Sequence, residues 1–349
     1  MWSRSSASWW RPWRRRGDDR AAGARARRRR ATGNGGRPGR RGGLRRPAEG
    51  HTAPGHPERP DRVTAILDRI CGDPVLAGLP RLAPDAVDGS DLESVHTASH
   101  VAAIRDLAGR GGGWIDADTY CCPGTYAAAL GSVGAALAAV DAVGGGRARH
   151  AFSVARPPGH HAGAGTAMGF CLFNGCAIAV RHAQRRGAER VAVVDIDVHH
   201  GNGTQEIFWD DAGVLYTSLH QWPLFPGTGE ASARGGPRAR GLTLNVPLPA
   251  GTTGEGWLAR LDADILPAVS RFRPEIIVVS AGYDAHEADP LASLRLSTGT
   301  YGLAALRLRD LCAGAGIGSV WLLEGGYDLP ALGESVAATL RGLSEDARD

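Results

Sequence analysis

Four short segments carry most of the residues able to do chemistry. RPPGHHA holds adjacent imidazoles, His160 and His161. DIDVHHGNGTQ packs Asp195, Asp197, His199, His200 and Asn202 into one run. SAGYDAHEADPLA supplies Asp284, and EGGYD supplies Tyr327. Asp197 and His199 stand two residues apart, so at the period of an extended chain they point to one face. With Asp284 from a separate segment they offer one imidazole and two carboxylates. Three such ligands with one open position suit a catalytic zinc, which lowers the pKa of a water toward ~7 and polarises a carbonyl. A lone Asp or His would read as a helix cap or a satisfied surface group. Two aromatic turns follow two of these clusters: MGFCLFN, with Gly169 and Phe170, and LFPGTG, with Phe225.

Each cluster needs a rigid element behind it, and each follows a run that reads as a strand. The β-branched runs predict strands at Ala151–Ala155, Arg190–Asp195, Val214–Ser218, Leu242–Val246, Ile276–Ser280 and Val320–Leu323. Helical stretches are predicted at Asp61–Cys71, Ser99–Ala108, Gly124–Val143, Asn174–Arg186, Gly256–Phe272, Thr298–Cys312 and Ala331–Leu343. Runs such as VAVVDI and IIVVSA, apolar on both faces, indicate a central parallel sheet with helices outside. In open α/β sheets the ligand site lies beyond the carboxyl ends of the strands, where all four clusters fall. The expected fold is α/β: a single domain with a central, mostly parallel sheet flanked by helices.

The bulk composition agrees with a globular chain, at 43% hydrophobic and 22% charged residues. The chain has 349 residues and a net charge of +4, but the charge is unevenly placed. Residues 1–50 hold 16 Arg against three acidic residues, a local charge of +13. The remaining 299 residues hold 24 Arg against 33 acidic residues, or −9. There is no Lys, and Gly and Ala are abundant, which points to a GC-rich, bacterial coding sequence. Residues 1–46 lack any period of 2 or 3.6 and combine Arg runs with Gly, Pro and Trp. They are read as a disordered Arg/Gly-rich tail. A nucleic-acid arm would rest on these residues alone. Residues 47–345 are read as the catalytic domain. No run is read as approaching the roughly 18 apolar residues of a membrane span, and the N-terminus lacks the apolar core of a secretory signal. The six cysteines form no CxxC pair and read as reduced thiols of a cytoplasmic protein.

Taken together, HPERPDR, RPPGHHA, GFCLFN, DIDVHHGNGTQ, SLH, FPGTG, SAGYDAHEADPLA and EGGYD resemble the zinc-dependent histone deacetylase superfamily. That group includes acetylpolyamine amidohydrolases and bacterial acetoin-utilisation proteins. The resemblance runs from His56 to about Leu343, with the motifs in the family's order, and the GNG and EGGY forms are similar to the class II branch. It implies an arginase/deacetylase-like domain that removes acetyl or other acyl groups from lysine side chains or from small amines such as polyamines.

Residue by residue, the resemblance implies one zinc ion on Asp197, His199 and Asp284. Tyr327 would polarise the acyl carbonyl together with that ion. His161 would act as general base toward the attacking water and then protonate the leaving amine, while His160 would stay an electrostatic partner. Asp195 would orient His160 and Asn202 would orient His161. A carboxylate partner raises a histidine pKa, whereas a neutral amide orients the ring without charging it. Phe170, Phe225 and Gly169 match the acyl-lysine channel, whose apolar walls suit an aliphatic chain. Arg62 matches an arginine lining an inner pocket; a helix-start ion pair is the plainer reading. Asp195, Asp197, His199, Ser218 and Leu219 match a structural potassium site, with a second one near Phe208, Asp211 and Val214.

Two features depart from the pattern. The family opens with a strand about 20 residues before HPERP, where this chain reads GRPGRRGGLRRPAEG, a poor strand by its Gly, Pro and charge. Residues 1–45 are therefore expected to fall outside the native enzyme. The substrate rim is not bound by motif; Asp116 and Asp118 could meet a cationic substrate or form an ordinary solvated loop. The competing readings are an arginase-like metallohydrolase, which would need ligands for a second metal, and a non-catalytic acyl-lysine binder, which should lack a ligand or the tyrosine.

Overall fold

The computed structural model of the protein describes residues 50–344. The Arg-rich tail lies outside the described residues, as does the stretch before HPERP expected to make a poor strand, apart from its last residue, Gly50. The chain enters through α1 (Asp61–Cys71), α2 (Gly89–Glu93) and α3 (Ala98–Gly109). A small antiparallel pair, β1 (Gly113–Trp114) and β2 (Tyr120–Cys121), leads into the long helix α4 (Thr125–Gly144). The remaining elements are β3 (His150–Ser153), α5 (Gly175–Arg185), β4 (Val191–Asp195), α6 (Asn202–Phe208), β5 (Val214–Gln221) and β6 (Thr243–Leu248). They are followed by α7 (Gly254–Arg260), α8 (Leu266–Phe272), β7 (Ile276–Ala281), α9 (Thr298–Ala315), β8 (Gly318–Leu323) and α10 (Leu329–Leu343).

The six larger strands form one sheet in the order β3-β8-β7-β4-β5-β6. Every neighbouring pair is parallel. Alternate side chains feed two cores. Ala192, Val194, Ile277, Val279 and Trp321 face one side, with Ile66, Trp257, Leu308 and Val336 from the helices. Val191, Val193, Ile276, Val278 and Val320 face the other, with Val140 of α4 and Val180 of α5. The chain runs outward through β4, β5 and β6, then returns to lay β7 on the opposite side of β4. The crevice between the ends of β4 and β7 is thus the topological switch point, where open α/β sheets bind ligands.

All six predicted strands are present. The predicted helix over Gly256–Phe272 is interrupted: between α7 and α8 the turn Leu261–Ile265 is a π-helix. Pro267, near the start of α8, has no N–H to complete the ladder, and the wide turn absorbs the break. The short helices α2 and α6 were not predicted. One composition reading needs correcting. Helix α4 is 20 residues long and apolar enough to cross a membrane by length and composition. It is built largely of Ala and Gly, and thirteen of its residues are buried within the fold. The six cysteines are free thiols.

Candidate metal centre and active site

The residues after β4 stay bound to β7 for one step, through Ile196 N–H to Ser280 O at 2.9 Å, and then turn into the crevice. There Asp197, His199 and Asp284 converge, with their ligating atoms all within 4.8 Å of one another. His199 Nδ1 lies 3.1 Å from Asp197 Oδ1 and 3.1 Å from Asp284 Oδ2. The free sides of both carboxylates are held by backbone. Val198 N–H donates to Asp284 Oδ1 (3.0 Å) and Gly325 N–H donates to Asp197 Oδ2 (2.8 Å). The fit is so close that glycine is required at 325, where a Cβ would stand 2.0 Å from Asp284 Oδ2.

Two buried carboxylates with ligating oxygens within 4.8 Å of each other call for positive charge between them. The protein alone shows this demand in His199. Burial would depress its pKa, yet Asp197 and Asp284 raise it to about 10. A proton there stands where a metal would supply charge. One imidazole nitrogen and two carboxylate oxygens suit a borderline divalent ion such as zinc, with coordination left over for substrate. The residues present therefore fit a catalytic metal.

The tandem histidines lie beside this cluster with their ring centroids 4.0 Å apart. His160 Nδ1 is 3.1 Å from Asp195 Oδ2, and its Nε2 is 3.8 Å from Asp197 Oδ1. Burial opposes charge on His160, but Asp197 and Asp195 overcome it and raise the pKa to about 10. His161 Nδ1 meets Asn202 Oδ1 at 2.8 Å. Burial, then the neighbouring His160 and His199, hold its pKa well below the ordinary value. The two adjacent imidazoles are thus driven apart, one charged and one neutral.

Tyr327 sits at the start of the last turn before α10. Its backbone N–H donates to Asp289 Oδ2 at 2.6 Å. Its ring meets Phe170 edge-on at 5.6 Å, and the guanidinium of Arg62 stands 4.8 Å over it. Burial pushes the phenol well above its usual range, so it keeps its proton. Arg62 is fully buried on α1 and donates from Nε to Gly326 O (2.7 Å) and from Nη1 to Glu58 Oε1 (3.3 Å). It both forms the ion pair near the helix start and supports the tyrosine turn.

Phe170 and Phe225 bracket the approach to the cluster. Phe225, 40% exposed, has its ring 5.1 Å from His161 and 6.1 Å from His199. Gly169 adopts φ +55°, and a Cβ there would come within 2.5 Å of His161 Cδ2. The acidic pair borders this mouth. His56 Nε2 bonds Asp118 O at 2.9 Å, and the same ring meets Phe170 at 4.7 Å. Asp195 and Ser218 are register partners in β4 and β5, and Leu219 follows within β5. Asp211 is paired with Arg181, whose guanidinium lies 4.8 Å over the Phe208 ring.

Several residues here were not singled out from sequence. Glu58 bonds both Arg62 and Arg156, all three fully buried or nearly so. Asn174 caps α5 through Ala177 N–H and donates to Ala162 O and Thr204 Oγ1, both at 3.0 Å. This ties the histidine loop to α6. Asp289, which holds Tyr327, is raised to about 7 by burial and by Asp284. Each lies inside a quoted motif, so the available signal was a polar side chain embedded among motif residues.

The family model for the histone deacetylase domain matches residues 56–343. The chain belongs to this histone deacetylase domain family. A histone deacetylase-like amidohydrolase of Pseudomonas aeruginosa is 42% identical over 306 residues, covering 85% of this chain and 80% of the relative. Among solved structures, the HDA15 HD domain aligns with a TM-score of 0.79 at 37% identity, covering 84% of each chain. An acetylpolyamine aminohydrolase from Burkholderia pseudomallei aligns at 0.75 with 29% identity, covering 82% of this chain and 91% of that one. The six-stranded parallel sheet and single domain of this histone deacetylase family member accord with those neighbours.

Proposed function

We propose that this protein is a zinc-dependent deacetylase that hydrolyses the amide of acetylated, or otherwise acylated, lysine side chains or small amines such as polyamines. The observation that carries the reading is the Asp197, His199 and Asp284 cluster set beside two histidines, one bonded to Asp195 and the other to Asn202. A zinc ion held by those three residues would polarise the acyl carbonyl and make water acidic enough to attack near neutral pH.

The chain's own groups supply the rest. Phe170 and Phe225 flank the aliphatic stem of the substrate and keep water from the amide. His161, with Nδ1 bonded to Asn202 Oδ1, keeps Nε2 as its basic nitrogen. It accepts a proton from the attacking water and passes it to the amine nitrogen as the C–N bond breaks, giving a carboxylate and a free amine. His160, charged and paired with Asp195, supplies positive charge beside the site. Tyr327 donates its hydroxyl proton as a hydrogen bond to the oxygen on which charge develops. Asp116 and Asp118 beside the mouth suit a substrate that carries a further cationic group. A structural potassium ion would sit against Asp195 and Ser218, with Asp197, His199 and Leu219 nearby. The six free thiols accord with a cytoplasmic location.

The test is a side-by-side assay of an acetyl-lysine peptide, an acetylated polyamine and a longer acyl-lysine peptide. Release of free carboxylate from at least one of them is expected. Absence of turnover on all three, with zinc bound, would overturn the reading.

A further inference from the structure

Glu324 has no place in the reaction as described, yet it is only 2% exposed. A carboxylate this deep must be satisfied by specific partners. It is the first residue past β8. Its Oε2 accepts from Gly159 N–H at 2.6 Å and from His160 N–H at 3.1 Å. Those donors belong to the loop after β3, the strand that pairs with β8 at the sheet edge. The backbone at this point is equally fixed. Glu324 N–H donates to Ala281 O at 3.0 Å, and the Glu324 carbonyl accepts from Arg62 Nη2. The next residue, Gly325, donates to Asp197 Oδ2. One residue therefore joins the histidine loop, the strand end behind the cluster and the arginine under Tyr327.

We propose that Glu324 is a positioning residue whose carboxyl reach, rather than its charge, sets where His160 and His161 stand relative to the metal cluster. The hydrogen bonds run to the backbone N–H groups of Gly159 and His160, directly ahead of His161, and to no reacting atom. A loop so placed has two adjacent peptide groups pinned by one oxygen. Shortening that tether moves both imidazoles together. Burial pushes Glu324 up to about 7 against the pull of His160 and of the Gly159 N–H, so it can hold the loop with or without full charge. A small cavity lined by Ser132 and Ser153 borders Glu324.

This inference rests on the deacetylase reading for its catalytic consequence, and the comparison of Glu324→Gln with Glu324→Asp separates the two. Gln keeps an acceptor oxygen at the same reach without charge. Asp keeps the charge and withdraws the oxygen by one methylene. Hydrogen–deuterium exchange at the Gly159 and His160 amides is measured with kcat, KM, metal content and thermal melting. Glu324→Asp is expected to speed exchange by about tenfold. It should lower kcat by about 10- to 100-fold, with KM and metal content near wild type. Glu324→Gln should match wild type in exchange and in kcat. A Gln variant as impaired as the Asp variant would contradict the role of reach. So would an Asp variant that only melts earlier, with wild-type exchange and kcat. A wild-type protein inactive on every acyl amine would sink the deacetylase reading, while the exchange comparison would still decide what Glu324 holds.

Discussion

The division of labour between His160 and His161 follows from their surroundings. Asp197 and the Asp195 carboxylate beside the first ring favour its charged form, whereas burial and the neighbouring His160 and His199 outweigh the Asn202 amide oxygen at the second. This gives a pH prediction. Asn202→Asp places a carboxylate against His161 and raises its pKa. A base must be neutral to accept a proton, so activity in the variant appears only above the raised value. The acid limb of the kcat/KM profile should therefore move to higher pH; an unmoved limb would contradict His161 as the base. Tyr327 gives the second prediction. Phe in its place keeps the edge contact with Phe170 and the stacking under Arg62 but loses the donor, and kcat should fall by roughly 10²–10³, or ~3–4 kcal/mol, with metal content unchanged. Steady-state turnover with elemental analysis checks both halves. These residues were legible in the sequence because the motifs place them directly after strands. Asp289 was not, because its role lies in a bond to the Tyr327 backbone 38 positions away.

At the scale of elements, the site depends on where α1 and the strand ends meet. Glu58 is the fastening. It lies just before α1 and bonds Arg156, 98 positions on, as well as Arg62. Burial opposes its ionisation, yet Arg156 and His51 hold its pKa well below the usual carboxylate range. Glu58→Ala would leave two buried guanidinium groups without their shared carboxylate. A loss of about 3–5 kcal/mol in stability is expected, read from the midpoint of denaturant unfolding. A change below 1 kcal/mol would show that the network is dispensable. The strands were readable because β-branched runs buried on both faces leave few alternatives to a parallel sheet. The helices were readable where the apolar spacing ran for three turns or more, as in α1 with Val63, Ile66 and Ile70. Helices α2 and α6 are too short and polar to show a period. Capping at Asp88 sets the start of α2, while α6 starts after Gly201 with no side-chain cap. Of the Glu58 network only the local Arg62 pair is legible in the sequence, since Arg156 meets Glu58 only once the chain has folded.

For the whole molecule, the net charge of +4 conceals a body of −9 preceded by a strongly basic segment. The family match begins at residue 56, and every residue assigned to the site lies beyond it. A chain beginning at residue 47 should keep both the kcat and the melting temperature of the full chain. Loss of either would place the basic segment within the working enzyme. The negative body favours encounter with substrates that carry amines, a long-range effect that salt weakens. Under the proposed function, the chemistry depends on one metal ion held by Asp197, His199 and Asp284. The most direct measurement titrates zinc into metal-stripped protein while acetate release from an acetyl-amine substrate is followed. Activity should rise linearly to a plateau at about one zinc per chain and vanish again on chelation. Full turnover by the stripped protein, or a plateau indifferent to Asp284→Ala, would contradict the account.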